Sequence, residues 1–251
     1  MSGHSKWSTI KHKKGAADAK RGQLFSKLSR AIIVAAREGG PDPDANLALQ
    51  NAIEKARSYS MPKDNIERAI ARGSGTDTDA AAYETVVYEG YGAGGVAVLV
   101  EALTDNRNRT AAEVRHIFSK HDGNLGTTGA VAWLFERRGV VLVDADGVDE
   151  DELTLAALEG GAEDVSLDGS TYQVLCAPPD LNAVRAAVEE AGIPIQSAES
   201  TMVPKTTVEV DDEAAARKIV RLMDALEEND DVQDVYANFD IPERVLEAVA
   251  G

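Results

Sequence analysis

The spacing of apolar positions changes along the chain, and the change divides it. Phe25, Leu28, Ile32 and Ala35 recur at intervals of three and four, which predicts an amphipathic helix running to about Glu38. Gly39-Gly40-Pro41 stops it. Leu49, Ile53 and Ala56 predict a second helix over about 44–59. Ile66, Ala69 and Ile70 predict a third, starting at Pro62, which suits the first helical position, and ending at Gly73. Residues 1–22 are rich in Lys, Gly and Ser and weakly periodic, so they read as a flexible or conditionally ordered arm with a short helix from Ala16. Gly73 to Asp79 reads as a linker.

Beyond the linker, strand and helix patterns alternate. Tyr83 to Tyr88 and Val96 to Leu103 predict strands joined by a glycine-rich turn, and Thr110 to Lys120 a helix opened by a capping box from Thr110 to Glu113. A βαββαβ unit follows: strands at 140–143, 164–167, 172–176 and 195–202, with helices at 149–159 and 181–191. That order matches a ferredoxin-like split unit. After Pro204 come a strand at 206–210, a helix at 212–228 and a strand at 232–238. Residues 80–133 supply only strand, strand and helix, and make a comparable layer if 204–240 joins them. The expected fold is α+β with three domains: an N-terminal three-helix domain, then two α/β-layer (ferredoxin-like) domains, the third inserted in the second. The expected limits are 1–75, 76–133 plus 204–240, 134–203, and a C-terminal tail at 241–251.

Charge sharpens this division. The net charge is −17, yet residues 1–75 hold 14 Lys+Arg against 7 Asp+Glu, and residues 76–251 hold 12 against 36. A basic end on an acidic chain points to phosphate locally, while net charge governs solubility. The single cysteine, Cys176, lies in an apolar strand and excludes an internal disulfide. The N-terminus lacks the apolar core of a signal peptide and no run approaches membrane-spanning length, so a soluble cytoplasmic protein is expected.

The densest candidate site is the arm and first helix: Lys6, Lys11, His12, Lys13, Lys14, Lys20, Arg21, Lys27, Arg30 and Arg37. Residues 1–37 hold nine Lys+Arg against one acid, Asp18. Neutralising phosphates releases counterions, which supplies most nonspecific nucleic-acid affinity. Trp7 within the cluster can stack on an exposed base. Lys20, Lys27, Arg30 and Arg37 fall opposite the apolar stripe, so the helix is expected to pack on one side and present cations on the other. The plain alternative is a solvated surface, or attraction to the protein's own acidic domains. A second candidate is the turn 104–110, where Arg107 and Arg109 flank a helix N-terminus suited to an anion; the alternative is a simple polar turn.

Other patterns carry less. Gly90 to Gly95 satisfies G-x-G-x-x-G, but a strand follows instead of a helix, so a turn is expected and not a dinucleotide site. His116 and His121 are five apart and do not face each other on a helix. Asp144-Ala145-Asp146-Gly147 begins like a calcium loop, but Val148 and Asp149 break it. No metal, cofactor or small-molecule substrate is expected. A protein adaptor using the acidic inserted unit, and a hydrolase with a hidden acid cluster, are the competing classes.

Met1 to Lys14 (MSGHSKWSTIKHKK) resembles the YebC/PmpR family, as do Met61 to Ile70 (MPKDNIERAI), Tyr88 to Gly92 and Thr104 to Thr110. The resemblance spans nearly the whole chain, although 144–200 is generic. It implies three domains with the third inserted in the second, and regulators that bind promoter DNA. A mitochondrial relative activates translation of cytochrome c oxidase subunit I. Bacterial members are also assigned to ribosomes, where they aid synthesis through proline-rich stretches. It implies no catalytic residues. The expectation is a non-enzymatic DNA-binding transcriptional regulator; the alternative is a ribosome-associated translation factor on ribosomal RNA. The helices show no short turn followed by a helix rich in base-reading side chains, which counts against a helix-turn-helix.

Overall fold

The apolar stripe of the first helix becomes the spine of an N-terminal unit. In this computed structural model, which describes residues 18–75 and 83–250, α1 spans Asp18–Gly39, α2 Leu47–Ser58 and α3 Lys63–Ser74. α2 and α3 both pack on α1 through a core of Leu28, Ile32, Ile33, Leu49, Ile53, Met61 and Ile66. The buried Asn46 ties two helix ends together. Its Oδ1 accepts from Leu49 N at 3.1 Å to cap α2, and its Nδ2 donates to Ala35 O and Gly40 O, each at 2.8 Å. α3 approaches α1 closely at Gly73, where a Cβ would lie 2.4 Å from Ile33 O.

A four-stranded antiparallel sheet follows. It is built from β1 (Glu84–Tyr91), β2 (Ala97–Thr104), β3 (Asn124–Leu125) and, far along the chain, β9 (Val232–Ala237), in the order β3-β1-β2-β9. The glycine-rich segment is a turn between β1 and β2, as expected; Gly94 and Gly95 take φ of 70° and 77°, which suits residues without a Cβ. α4 (Arg107–Lys120) and α7 (Glu213–Glu227) supply the core with Val114, Phe118, Ile219, Leu222, Met223 and Leu226 beneath β2 and β9.

Between β3 and the return of the chain lies a second four-stranded sheet. β4 (Phe135–Asp144), α5 (Glu150–Glu159), β5 (Ala162–Asp168), β6 (Thr171–Cys176), α6 (Leu181–Glu190) and β7 (Ile195–Pro204) run in βαββαβ sequence with strand order β5-β6-β4-β7, all antiparallel neighbours. This is the ferredoxin-like arrangement, and β9 pairing with β2 makes the unit an insertion within the first sheet's layer. β4 begins five residues before the expected Val140. Phe135 to Gly139 pair with Pro204 to Ser200 despite carrying Arg137 and Arg138, whose charges find Glu101 and Glu163.

Two expectations are corrected. The helix expected at Thr110 starts at Arg107, because Asn106 is its cap: Asn106 Oδ1 accepts from Arg109 N at 3.1 Å. Residues after 240 are more than a tail. β8 (Val208–Glu209) pairs in parallel with β10 (Phe239–Asp240), and α8 (Glu243–Ala250) follows. Ile241, Val245 and Val249, four apart, form a stripe that joins the core around α7.

The segment between β3 and β4 crosses from one sheet to the other through turns and one short 3-10 helix, Ala132–Leu134. It is fixed by Glu89 of β1, which is 4% exposed. Its carboxylate accepts from Gly129 N at 2.6 Å and from Val131 N and Ala132 N at 2.7 Å each. Burial alone would raise this carboxyl's pKa, but the three backbone donors outweigh it and hold the group below the ordinary glutamate value.

Candidate nucleic-acid interface

Lys6, Trp7, Lys11, His12, Lys13 and Lys14 lie outside the described residues, as does the side chain of Lys20. Arg21, Lys27, Arg30 and Arg37 lie on α1. Arg21 is exposed, with its guanidinium 5.9 Å from the Phe25 ring. The other three do not form the open cationic face expected from the helix.

Lys27 is 9% exposed and donates through Nζ to Glu227 O. Gln23 Nε2 donates to Glu228 O at 2.6 Å and to Asp230 Oδ1 at 2.7 Å. Arg30 Nη1 donates to Asp230 O at 2.9 Å, and its guanidinium sits 5.0 Å from the Tyr83 ring. Arg37 Nη2 donates to Tyr83 O at 2.9 Å. The reason is electrostatic. The last turn of α7 leaves carbonyls without intrahelical partners at the negative end of its dipole, and cations satisfy them. For Lys27 and Arg30, attraction to the protein's own acidic part is what the structure shows; Arg37 stays exposed and reaches the Tyr83 carbonyl instead.

Arg109 is drawn in as well. Its Nη2 donates to Asp231 Oδ2 at 2.7 Å and to Asp105 Oδ1 at 2.9 Å, and these carboxylates raise its pKa further. Arg107 is 3.6 Å from Glu84 with both side chains well exposed, a pair of little energetic weight. The N–H groups of Asn106, Arg109 and Thr110 are taken by Thr104 Oγ1, Asn106 Oδ1 and Asn106 O, so much of the turn is bonded within itself. It is a junction more than an open anion cradle.

Asp231 is the centre of that junction, and the sequence reading did not single it out. It is 5% exposed and accepts from Thr110 Oγ1 at 2.7 Å, Thr104 Oγ1 at 3.2 Å and Arg109, while Arg30 lies at 3.4 Å. It thus ties α1, β2, α4 and the start of β9 together. Burial would raise its pKa; Arg109 and the hydroxyls reverse this and leave it lowered. The half-exposed Arg109 contributes little, but the fully buried Thr104 would lose its acceptor and the fully buried Thr110 its shorter one, keeping Asn106 O at 3.1 Å. Asp231→Ala is therefore expected to destabilise the fold by about 2 kcal/mol in chemical denaturation at neutral pH. A depressed folded-state pKa stabilises above the unfolded value, about 3.9, and that stability is lost as pH falls through the folded value. The gap between wild type and variant should close in that acidic window; a gap unchanged there would disprove the ionised contact.

Cations that stay outward gather elsewhere on the N-terminal unit. Ser29, Ile33, Asn65, Arg68, Ala69 and Arg72 line an open groove of about 350 Å³ between α1 and α3. Arg68 and Arg72, four apart on α3, face the same side, and their spacing was the available signal. α2 and α3 are joined by only four residues, Tyr59 to Pro62, with Ser60 at φ 57°. A short turn is thus present, as the expected helix limits at Tyr59 and Pro62 imply. The helix after it carries mixed charge: Lys63 pairs with Glu67 at 3.5 Å, and Arg68 binds Asn65.

A second network joins all three units. Lys55 of α2 pairs with Asp234 of β9, Arg137 of β4 with Glu101 of β2 at 2.6 Å, and Arg185 of α6 lies 3.8 Å from Glu54. Burial alone would lower the Lys55 pKa, but Asp234 and Glu199 outweigh it and hold the ammonium above its usual value. Among the described residues no group of three or more His, Cys, Asp or Glu could hold a metal ion, and no helix is long and apolar enough to cross a membrane. Burial pushes the Cys176 thiol up to about 11, which suits an inert core residue.

Residues 5–76 match the TACO1/YebC protein N-terminal domain, and residues 83–239 the TACO1/YebC second and third domain. A probable transcriptional regulatory protein of Rubrobacter xylanophilus is 64% identical over 251 residues, spanning 100% of both chains. One of Halothermothrix orenii is 55% identical over 251 residues, 99% of each. The crystal structure of a conserved hypothetical protein from Aquifex aeolicus, 52% identical, aligns with a TM-score of 0.78 over 90% of this chain and 93% of its own. These matches cover the basic helical unit and both sheets alike, and the chain belongs to the TACO1/YebC family.

Proposed function

We propose that this protein is a non-enzymatic regulator of gene expression that binds nucleic acid through its basic N-terminal segment, acting as a DNA-binding transcriptional regulator. The carrying observation is the one-signed cluster in residues 1–37. Lys27 and Arg30 are committed to the protein's own acidic part and Arg37 to the Tyr83 carbonyl, so Lys6, Lys11, Lys13, Lys14 and Arg21 carry the contact, and Arg68 and Arg72 on α3 are further candidates. Relatives named probable transcriptional regulatory proteins support the regulatory role. The working division remains a basic 1–75 domain, a split second domain and an acidic inserted third, in the cytoplasm.

One observation favours a second reading. The outer side of α3 mixes Lys63, Arg68 and Arg72 with Asp64 and Glu67, a poor surface for a DNA major groove. A short basic arm beside acidic domains suits a structured RNA, so a ribosome-associated translation factor on ribosomal RNA is the alternative. Crosslinking in cells with sequencing of both bound DNA and bound RNA separates them. Promoter enrichment is the expected result; enrichment on ribosomal RNA with none at promoters would replace the first reading by the second.

A further inference from the structure

Aromatic side chains are scarce in this chain, 12 in all, and most of those described are at least partly buried. Two stand out: Trp133 is 66% and Tyr91 38% exposed. They come together on one atom. Trp133 Nε1 donates to Ala130 O at 3.2 Å, and Tyr91 Oη donates to the same oxygen at 3.1 Å. Ala130 lies in the segment that Glu89 pins through Gly129, Val131 and Ala132, so both rings sit on a braced support.

We propose that Tyr91 and Trp133 form a stacking platform for unpaired nucleobases. This rests on the nucleic-acid reading above and adds a second contact to it. The polar donor of each ring is already spent on Ala130 O, so what faces solvent is chiefly π surface. Such a surface suits a flat ring and reads no hydrogen-bond pattern. Two exposed lysines on adjoining segments can serve a phosphate backbone. Exposed Lys205 donates its backbone N–H to Leu134 O at 2.8 Å, next to Trp133. Exposed Lys120 ends the helix that leads into β3, where Asn124 pairs with Tyr91. The nearby acids are engaged: Asp122 lies 3.0 Å from Lys218, and Glu136 3.4 Å from Arg138. A base stacks where it is unpaired, so the platform selects single strands over duplex.

The test uses the full chain and mixed-sequence oligonucleotides of about 12 units, as single-stranded RNA, single-stranded DNA and blunt duplex. With Trp7→Phe, Trp133 is the remaining indole, and single strands should quench its fluorescence more than duplex does. Tyr91→Leu with Trp133→Leu should weaken single-strand affinity roughly tenfold without changing its salt dependence, since no charge is removed. Tyr91→Phe with Trp133→Phe should recover most of that loss, and circular dichroism should match wild type throughout. If wild type binds single strands but the leucine pair binds as tightly and Trp133 is not quenched, the platform is wrong while the arm reading stands. If neither strands nor duplex bind, the nucleic-acid reading fails and the platform with it. Quenching by a proline-rich peptide in place of oligonucleotide would assign the pair to a peptide and overturn the proposal.

Discussion

Replacing Lys11, Lys13 and Lys14 together by alanine is expected to weaken nucleic-acid binding by one to two orders of magnitude near physiological salt, and to flatten its salt dependence. Each phosphate neutralised contributes roughly 0.7–0.9 to the slope of log affinity against log salt, so three lysines account for about 2–3 units. Extrapolated from molar salt to about 0.15 M, that slope corresponds to roughly a hundredfold in affinity if all three touch phosphate. The informative control is Lys27→Met with Arg30→Met. These residues belong to the same basic run, but their donors are committed to Glu227 O, Asp230 O and Asp231. Their loss should lower stability and leave the salt slope of binding close to wild type. Fluorescence anisotropy over a salt series gives both slopes. An unchanged slope in the triple variant would remove the arm from the interface. A reduced slope in the control would mean that α1 leaves its docked position when nucleic acid binds.

That contrast marks what a sequence conveys. The periodicity of Phe25, Leu28 and Ile32 reveals which side of α1 is apolar, because burial imposes a local rhythm. The βαββαβ order is legible for the same reason: each strand and helix carries its own pattern. The destination of a cation is not local. Lys27 and Arg30 bind atoms 200 residues away, which spacing does not encode. Asp231 gave no signal either; it sits in an acidic run with Asp230 and looks solvated, yet it is buried because Thr104, Thr110 and Arg109 converge on it. α8 was missed because its stripe of Ile241, Val245 and Val249 is short and lies at the end of the chain. Glu89 is one acid beside a glycine turn in the sequence. Its burial is set by the segment 129–132, which has no regular pattern to read.

Glu89→Ala should be the most damaging single substitution in the second sheet's connection. Three backbone donors, Gly129, Val131 and Ala132, would lose their acceptor at once. An unsatisfied buried donor costs about 1–3 kcal/mol, and water entering the vacated space will recover part of it, so a net loss of about 3–4 kcal/mol is expected. Glu89→Gln should cost about 2 kcal/mol: its amide oxygen can serve Val131 and Ala132, but its NH₂ then faces the Gly129 N–H. Because the folded-state pKa of Glu89 is depressed, its contribution is present above the unfolded value, about 4.3, and fades as pH falls through the folded value. Wild type and Glu89→Gln should therefore converge in acid. Hydrogen exchange is the sharper measurement, since it reads the three amides individually: protection at Gly129, Val131 and Ala132 should collapse in the variants while amides of β6 stay protected. Protection unchanged at all three would mean that Val131 and Phe135, buried with Leu99 and Tyr236, hold the segment by packing alone. The carboxylate would then be incidental to the support on which Tyr91 and Trp133 rest.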